Sequence, residues 1–393
     1  MRQWILRLAL AMVMGIVGLS LAAQEAFPES VRDGVVVVRF ADMTRPGAVR
    51  FDQMLAAFDE INQPYIVIEA QVRDQRDAAR LADRYNALAI LDGFQTSNGS
   101  FRMRVTWSTR AAQLLLANPS AVAEDILEET LTLTPDMSPS FVSDYVRGNV
   151  FYTLGDDENA LRFLELAYFG LPRGKELESE ALQLFVTYGI VLNRFGEYRQ
   201  TLEVIDFAIQ LDPQFAYSYF VQARALRFLR RLDEALASIN RALELSDRNT
   251  YLNELGRIYI IREEYAQAEA AYNRALEQNP NDAIALAGLG DVAYFKGDIE
   301  GSIPFFQRAT EADPTYSYAP YSWAYSLFDL GRFAEAERMV LRALEVNPEY
   351  VEALLLYGDI LWAQGKRPAA VEQYRLYLDL GGEPYDYVLE RVR

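Results

Sequence analysis

Side chains able to do covalent or acid–base chemistry are scarce in this sequence. It contains no histidine and no cysteine. Imidazole is therefore absent as base, nucleophile and metal ligand. Serine–histidine and cysteine–histidine mechanisms are excluded, and no disulfide or thiolate can form. A carboxylate pair or a Ser–Lys arrangement remains. Asp42, Glu69 and Asp92, at or near the ends of expected strands, are the nearest carboxylates for a glycosidase-type pair. No Gly-rich phosphate loop accompanies them, and capping and solvation account for all three. The expectation is a protein that is not an enzyme, with no catalytic residue, no metal ligand and no cofactor.

Charge narrows the partners. Against 38 Lys and Arg stand 56 Asp and Glu, a formal net charge of −18. Such a surface repels phosphate backbones and anionic lipid heads, so nucleic acid is not an expected partner.

The first residues have the order of an export signal. Arg2 and Arg7 open it, Leu8 to Leu19 is apolar apart from glycines, and Ser20, Ala22 and Ala23 are the small residues of a cleavage site. The apolar run falls short of the roughly 20 residues that cross a bilayer. Residues 1–23 are expected to be a signal peptide, and the protein periplasmic or extracellular. The alternative is an uncleaved N-terminal anchor, which would be the chain's one membrane contact.

Residues 30–108 alternate between two hydrophobic periods. Strands are expected at Val35–Ala41, Tyr65–Ala70, Ala87–Phe94 and Phe101–Trp107, and helices around Val49–Ile61 and Asp74–Tyr85. Ser97-Asn98-Gly99 is a hairpin turn, because Asn-Gly accepts positive φ. The sum is β-α-β-α-β-β, a small α/β domain. Its VVVVRFADMT, LADRYNALAILDGF and GSFRMRVTW segments resemble the N-terminal domain of TolB-like exported proteins. That resemblance implies protein contacts in the envelope and no catalytic residues. Residues 109–140 are expected to be a helical connector, helical over Ala111–Ala117 and Ala121–Leu131, with breaks at Pro119, Pro135 and Pro139.

Beyond residue 140 a period near 34 residues dominates. Hydrophobic helix ends run into Asp-Pro or Asn-Pro at Pro213, Pro280, Pro314 and Pro348, with gaps of 67, 34 and 34, and ALELSD at Asp247 fills the missing place. Small residues recur in each first helix (Gly148, Gly189, Ala223, Gly256, Gly290, Ala324, Gly358) and in each second helix (Ala160, Thr201, Ala235, Ala268, Ser302, Ala336, Ala370). Antiparallel helices approach closely only where small side chains occupy the crossing, and proline ends the second helix. A hairpin alone leaves an apolar face open, so hairpins must stack.

This pattern is similar to that of the tetratricopeptide repeat family, over residues 141–384. Seven units are expected, starting near Phe141, Leu182, Ala216, Asn249, Ala283, Ser317 and Val351, with an insertion at Gly174–Glu180 and a capping helix over 385–393. The fold class is α+β overall and mostly α: a solenoid of helical hairpins behind a small α/β domain.

The resemblance implies a concave groove lined by first helices that takes an extended or helical peptide. Carried onto this sequence, its lining is Tyr145, Asn149 and Tyr152, then Arg194, Phe220, Arg224, Arg227, Phe228, Asn253 and Arg257, then Asp291, Tyr294, Tyr318, Tyr321, Tyr325, Phe328, Asp359 and Trp362. Four arginines on one inner stretch of an acidic chain suit a carboxylate-bearing segment, unless neighbouring Asp and Glu neutralise them. The run YSYAPYSWAYSLF supplies interaction anchors, although Trp323 and some tyrosines serve packing. The chaperone-binding form of the repeat needs Lys where Tyr145 stands, so that partner is rejected. The expected function is an exported scaffold that binds a protein or peptide, with an acidic segment as one candidate. A structural subunit of an envelope assembly, with self-association, is the alternative, and an enzyme with a carboxylate pair the third reading.

Overall fold

The computed structural model describes residues 35–38, 65–68, 75–87, 89–95, 101–107, 128–133, 139–171 and 181–393. The leader, the helix expected near 49–61, the turn at 97–99 and the insertion at 174–180 lie outside them. The chain divides into two units, Met1–Phe195 and Gly196–Arg393.

The first unit contains a five-stranded sheet of order β2-β1-β3-β4-β5. Strands β1 (Val35–Val38), β2 (Tyr65–Ile68) and β3 (Ala89–Gln95) are β-branched or apolar runs. β1 pairs in parallel with β2, Val35 opposite Tyr65, and with β3, Val35 opposite Ala89. Helix α1 (Gln75–Arg84) precedes β3. β4 (Phe101–Trp107) returns antiparallel to β3. β5 (Glu128–Leu133) pairs antiparallel with β4, Phe101 opposite Leu133.

β5 corrects the connector, which was expected to be helical through Leu131. The sequence TLTL has period two and carries β-branched Thr130 and Thr132, and an open edge on β4 gives that period a ladder to join. Pro139 is a second correction. It is the first residue of α2 (Pro139–Leu154) instead of a break. Proline is tolerated there because the first-turn amide has no intrahelical partner. α2 folds back on α3 (Asp157–Gly170), whose N-terminus is capped by the Asp156 side chain, and α4 (Leu182–Arg194) completes the unit.

The second unit is all helical. It opens with α5 (Tyr198–Leu211) and continues as hairpins α6 (Ala216–Phe228) with α7 (Leu232–Leu245), α8 (Asn249–Ile261) with α9 (Tyr265–Gln278), α10 (Ala283–Phe295) with α11 (Ile299–Ala312), α12 (Tyr318–Asp329) with α13 (Phe333–Val346), and α14 (Val351–Ala363) with α15 (Arg367–Asp379). A short α16 (Asp386–Val392) follows. Each inter-helix turn needs one left-handed residue. Gly297 and Gly331 supply it without strain, whereas Arg230 (φ 59°) and Glu263 (φ 61°) adopt it at a cost.

What closes each hairpin is a small residue on the first helix and a large one sixteen positions later on the second. The ring of Phe306 lies against Gly290, that of Tyr374 against Gly358, and in the first unit Leu164 against Gly148; a Cβ on these glycines would come within 2.4–2.7 Å of them. Where alanine replaces glycine the partner shrinks: Ala223 precedes Ile239, and Ala324 precedes Val340, all four fully buried. Tyr272 goes further. Its ring is held between Gly256 of its own hairpin and Gly288 of the next.

Successive first helices α6, α8, α10, α12 and α14 touch one another, while the second helices stay further apart. The second unit therefore curves with its first helices on the inner side. Because interiors are close-packed, Gly290→Ala is expected to cost about 1–3 kcal/mol. Adding Phe306→Val should restore part of that loss, although Phe306→Val alone is destabilising. A double-mutant cycle by urea denaturation, with circular dichroism as the readout, measures the coupling.

Candidate binding face on the first helices

Helical spacing of three and four residues puts Phe220, Arg224 and Arg227 on one side of α6, and Asn253 and Arg257 on the facing side of α8. Contact between α6 and α8 brings these together. At the centre stands Glu254, 1% exposed. Arg227 Nε donates to its Oε1 at 2.6 Å, and Arg257 Nη1 lies 3.7 Å from its Oε2. Burial alone would push the Glu254 carboxyl up, but Arg227, Arg257 and Arg224 outweigh it and hold it below the usual range. Arg224 makes no ion pair among the described residues, and its Nε is buried without a hydrogen-bond partner. Burial lowers its pKa, and the neighbouring Arg257 and Arg227 lower it further, against the pull of Glu254. Three guanidiniums thus share one carboxylate.

Further along, α10 and α12 carry a phenol-rich stretch. Tyr318 Oη donates to Asp291 Oδ2 at 2.9 Å. Burial pushes the Asp291 carboxyl up to about 7, opposed by that hydrogen bond and by Arg257. Tyr294 donates to Asp329. Ring centroids lie 6.2 Å apart for Tyr318–Tyr321, 6.4 Å for Tyr321–Tyr325 and 5.8 Å for Tyr294–Tyr325. Tyr325 is the most open of them, at 41%. Phe228 is also exposed, and Arg227 lies over its ring. Phe328 packs on Phe333.

Several expected lining residues prove to be packing residues. In the first unit Tyr145, Asn149 and Tyr152 are each 1% exposed, and Asn149 Nδ2 is turned back onto the Tyr145 carbonyl at 2.9 Å. Phe220 is buried between the rings of Tyr217 and Tyr251. Asn253 is buried and donates to Asp282 Oδ2 at 2.9 Å; Asn249 donates to the same oxygen, while Asp282 Oδ1 caps α10. Arg194 is paired with Asp157 and lies over the Tyr152 ring, so it is neutralised within its own unit. Trp362 is covered: the Arg391 guanidinium of α16 sits 4.6 Å from its ring centroid and 2.7 Å from Asp359. Trp323 is half-buried and packs against two core clusters.

Of the expected lining, Arg224, Arg227, Arg257, Tyr294, Tyr318, Tyr321 and Tyr325 remain at least partly exposed on the first helices. Sequence reasoning missed Glu254, Tyr316 and Tyr350. Tyr316 lies in the electrostatic neighbourhood of Arg257, and the Tyr350 ring is tilted against that of Tyr321 with centroids 5.0 Å apart. Both stand two residues after an anchor proline, a spacing that was there to be read. Among the described residues, no group of three acidic, His or Cys side chains could hold a metal, and no helix is long and apolar enough to cross a membrane. Asp42 and Glu69 lie outside the described residues.

Two outcomes follow from this electrostatics. Glu254→Ala leaves buried guanidiniums uncompensated and should cost about 3–5 kcal/mol, read from the urea midpoint. Asp291 has a folded pKa raised from 3.8 to about 7. Its stabilising contribution is whole at low pH and is lost as pH rises through that window, because the unfolded chain gives up its proton first. The group faces Arg257, Tyr318, Tyr272 and Tyr316. The gain in melting temperature from Asp291→Asn should therefore grow between pH 4 and 7 and level off above.

Residues 189–250, 253–317 and 321–383 match the tetratricopeptide repeat family. The chain is 25% identical over 198 residues to anaphase-promoting complex subunit 3 of Schizosaccharomyces pombe, covering 50% of this chain and 30% of that protein. It is 24% identical over 229 residues to a DnaJ homolog subfamily C member 3 homolog of Dictyostelium discoideum, covering 55% and 44%. The chain thus spans less than half the length of these relatives. A tetratricopeptide repeat protein from Parabacteroides merdae superimposes with a TM-score of 0.50 at 19% identity, over 64% of this chain and 97% of that one. These matches give no support to a TolB-like domain in residues 30–108.

Proposed function

We propose that this array, whose residues 189–383 are tetratricopeptide repeats, is an exported scaffold that holds a protein or peptide along the first helices of its second unit. One observation carries the reading. The inner face from α6 to α12 combines three guanidiniums gathered around Glu254 with a run of phenols in ring contact, Tyr325 the most open, in a chain that is strongly acidic. Tyrosine and arginine give large contact area and directional donors at modest entropic cost. The export-signal order of residues 1–23 supports a working place outside the cytoplasm, and the sheet-bearing N-terminal segment, through its resemblance to TolB-like domains, would make a second protein contact there.

Photocrosslinking from both faces of the second unit tests this. With a photoreactive residue at Tyr325 on the first-helix face, incubation in envelope extract should give a discrete crosslinked band. The same residue at Leu341, exposed on α13, should give none. A band from Leu341 alone would move the binding surface to the outer helices and overturn the proposal.

A further inference from the structure

We infer that the guanidinium cluster between α6 and α8 is the docking point for an extended acidic segment of a partner, which lays two side-chain carboxylates across Arg224 and Arg257. This rests on the first-helix face being the binding face, and it names what that face selects.

The argument begins with a charge count. Arg224, Arg227 and Arg257 face a single ion-paired carboxylate, Glu254. Two positive charges are left over. Asp291 offsets part of this, in proportion to its ionisation, and it is already engaged by Tyr318. Like charges held together in a poorly hydrated place cost free energy, and a ligand that supplies the missing counter-charge recovers that cost.

The second observation is the state of Arg224 itself. It is only partly exposed, and its Nε is enclosed and bonded to nothing. A buried donor without an acceptor is destabilising by about 1–3 kcal/mol. The other two arginines are ion-paired: Arg227 by its 2.6 Å bond to Glu254, with the Phe228 ring beneath it, and Arg257 more loosely, 3.7 Å from the other Glu254 oxygen. Arg224 has no hydrogen bond or ion pair among the described residues; its guanidinium carbon lies over the Phe220 ring, 5.8 Å from the centroid. The molecule therefore presents an unpaired guanidinium, Arg224, beside Arg227, which is hydrogen-bonded, and Arg257, which is held only by charge.

A planar guanidinium fork matches a carboxylate with two parallel hydrogen bonds. An excess of two charges is met by two acidic side chains, whereas a chain terminus brings one. The tyrosines of α12 continue the same inner face and offer apolar edges and hydroxyl donors to the rest of an extended segment.

The test uses the full chain and fluorescence anisotropy. The probe is a labelled, C-terminally amidated peptide alternating alanine and glutamate. Its controls are the same peptide with glutamine for glutamate, amidated and with a free carboxylate. The acidic peptide should bind at least about tenfold more tightly than amidated glutamine, and added salt should erode that preference. Arg224→Gln should remove most of the preference, while Arg224→Lys keeps part of it. Arg224 has no hydrogen bond or ion pair among the described residues, so both variants should give the wild-type circular dichroism spectrum. Equal binding of glutamate and glutamine peptides overturns the inference and leaves the face itself standing. So does an unchanged preference in Arg224→Gln, or a free-carboxylate glutamine peptide that matches the acidic one. Failure of every peptide while Tyr325 still crosslinks a partner also refutes the acidic segment. Loss of the crosslink refutes the underlying face.

Discussion

The hairpins close because a missing side chain on one helix makes room for a ring on the other. Gly290 with Phe306, Gly358 with Tyr374, and Tyr272 between Gly256 and Gly288 are contacts that a single methyl would break. They set how near each first helix lies to its second. Tyr272 also sets how near it lies to the next first helix, because one ring touches glycines of two hairpins. The inner face inherits that spacing. Arg227 reaches Glu254 across twenty-seven residues of chain only because α6 and α8 are held in contact. The cationic cluster is thus a product of packing elsewhere, and none of its members could assemble it alone.

Polar side chains then tie neighbouring hairpins together along the same face. Asp282 caps α10 with one oxygen and accepts from Asn249 and Asn253 of α8 with the other. A helix start and the preceding hairpin therefore share one carboxylate. Glu254 does the same between α6 and α8. Such groups are costly to bury: Asp282 is met by donors on both oxygens, whereas Glu254 has a hydrogen-bond donor on Oε1 and only the more distant charge of Arg257 near Oε2.

Much of this was legible beforehand, and the failures have physical causes. The anchor prolines and recurrent small residues locate the hairpins, since each marks a place where a helix must stop or a backbone must come close. Pro213, Pro280, Pro314 and Pro348 each fall two residues after a helix end. Exposure was harder to read. Tyr145, Tyr152 and Phe220 sit at the periodic positions of the lining, yet they are buried, because periodicity gives the face of a helix and not the depth of what covers it. Glu254 was passed over because a carboxylate on an apolar helix suggests solvent, while its burial depends on arginines that lie far off in sequence. β5 was missed because the edge that pairs with it cannot be seen in a local window.

The last helix gives the inner face an end-stop. Arg391 occupies the space over Trp362 and between the rings of Tyr374 and Tyr387, and its charge is taken up by Asp359. The open stretch of guanidiniums and phenols therefore runs from α6 to α12, and at α14 the inner surface is closed by the chain's own side chain, whose charge is already spent on an internal partner.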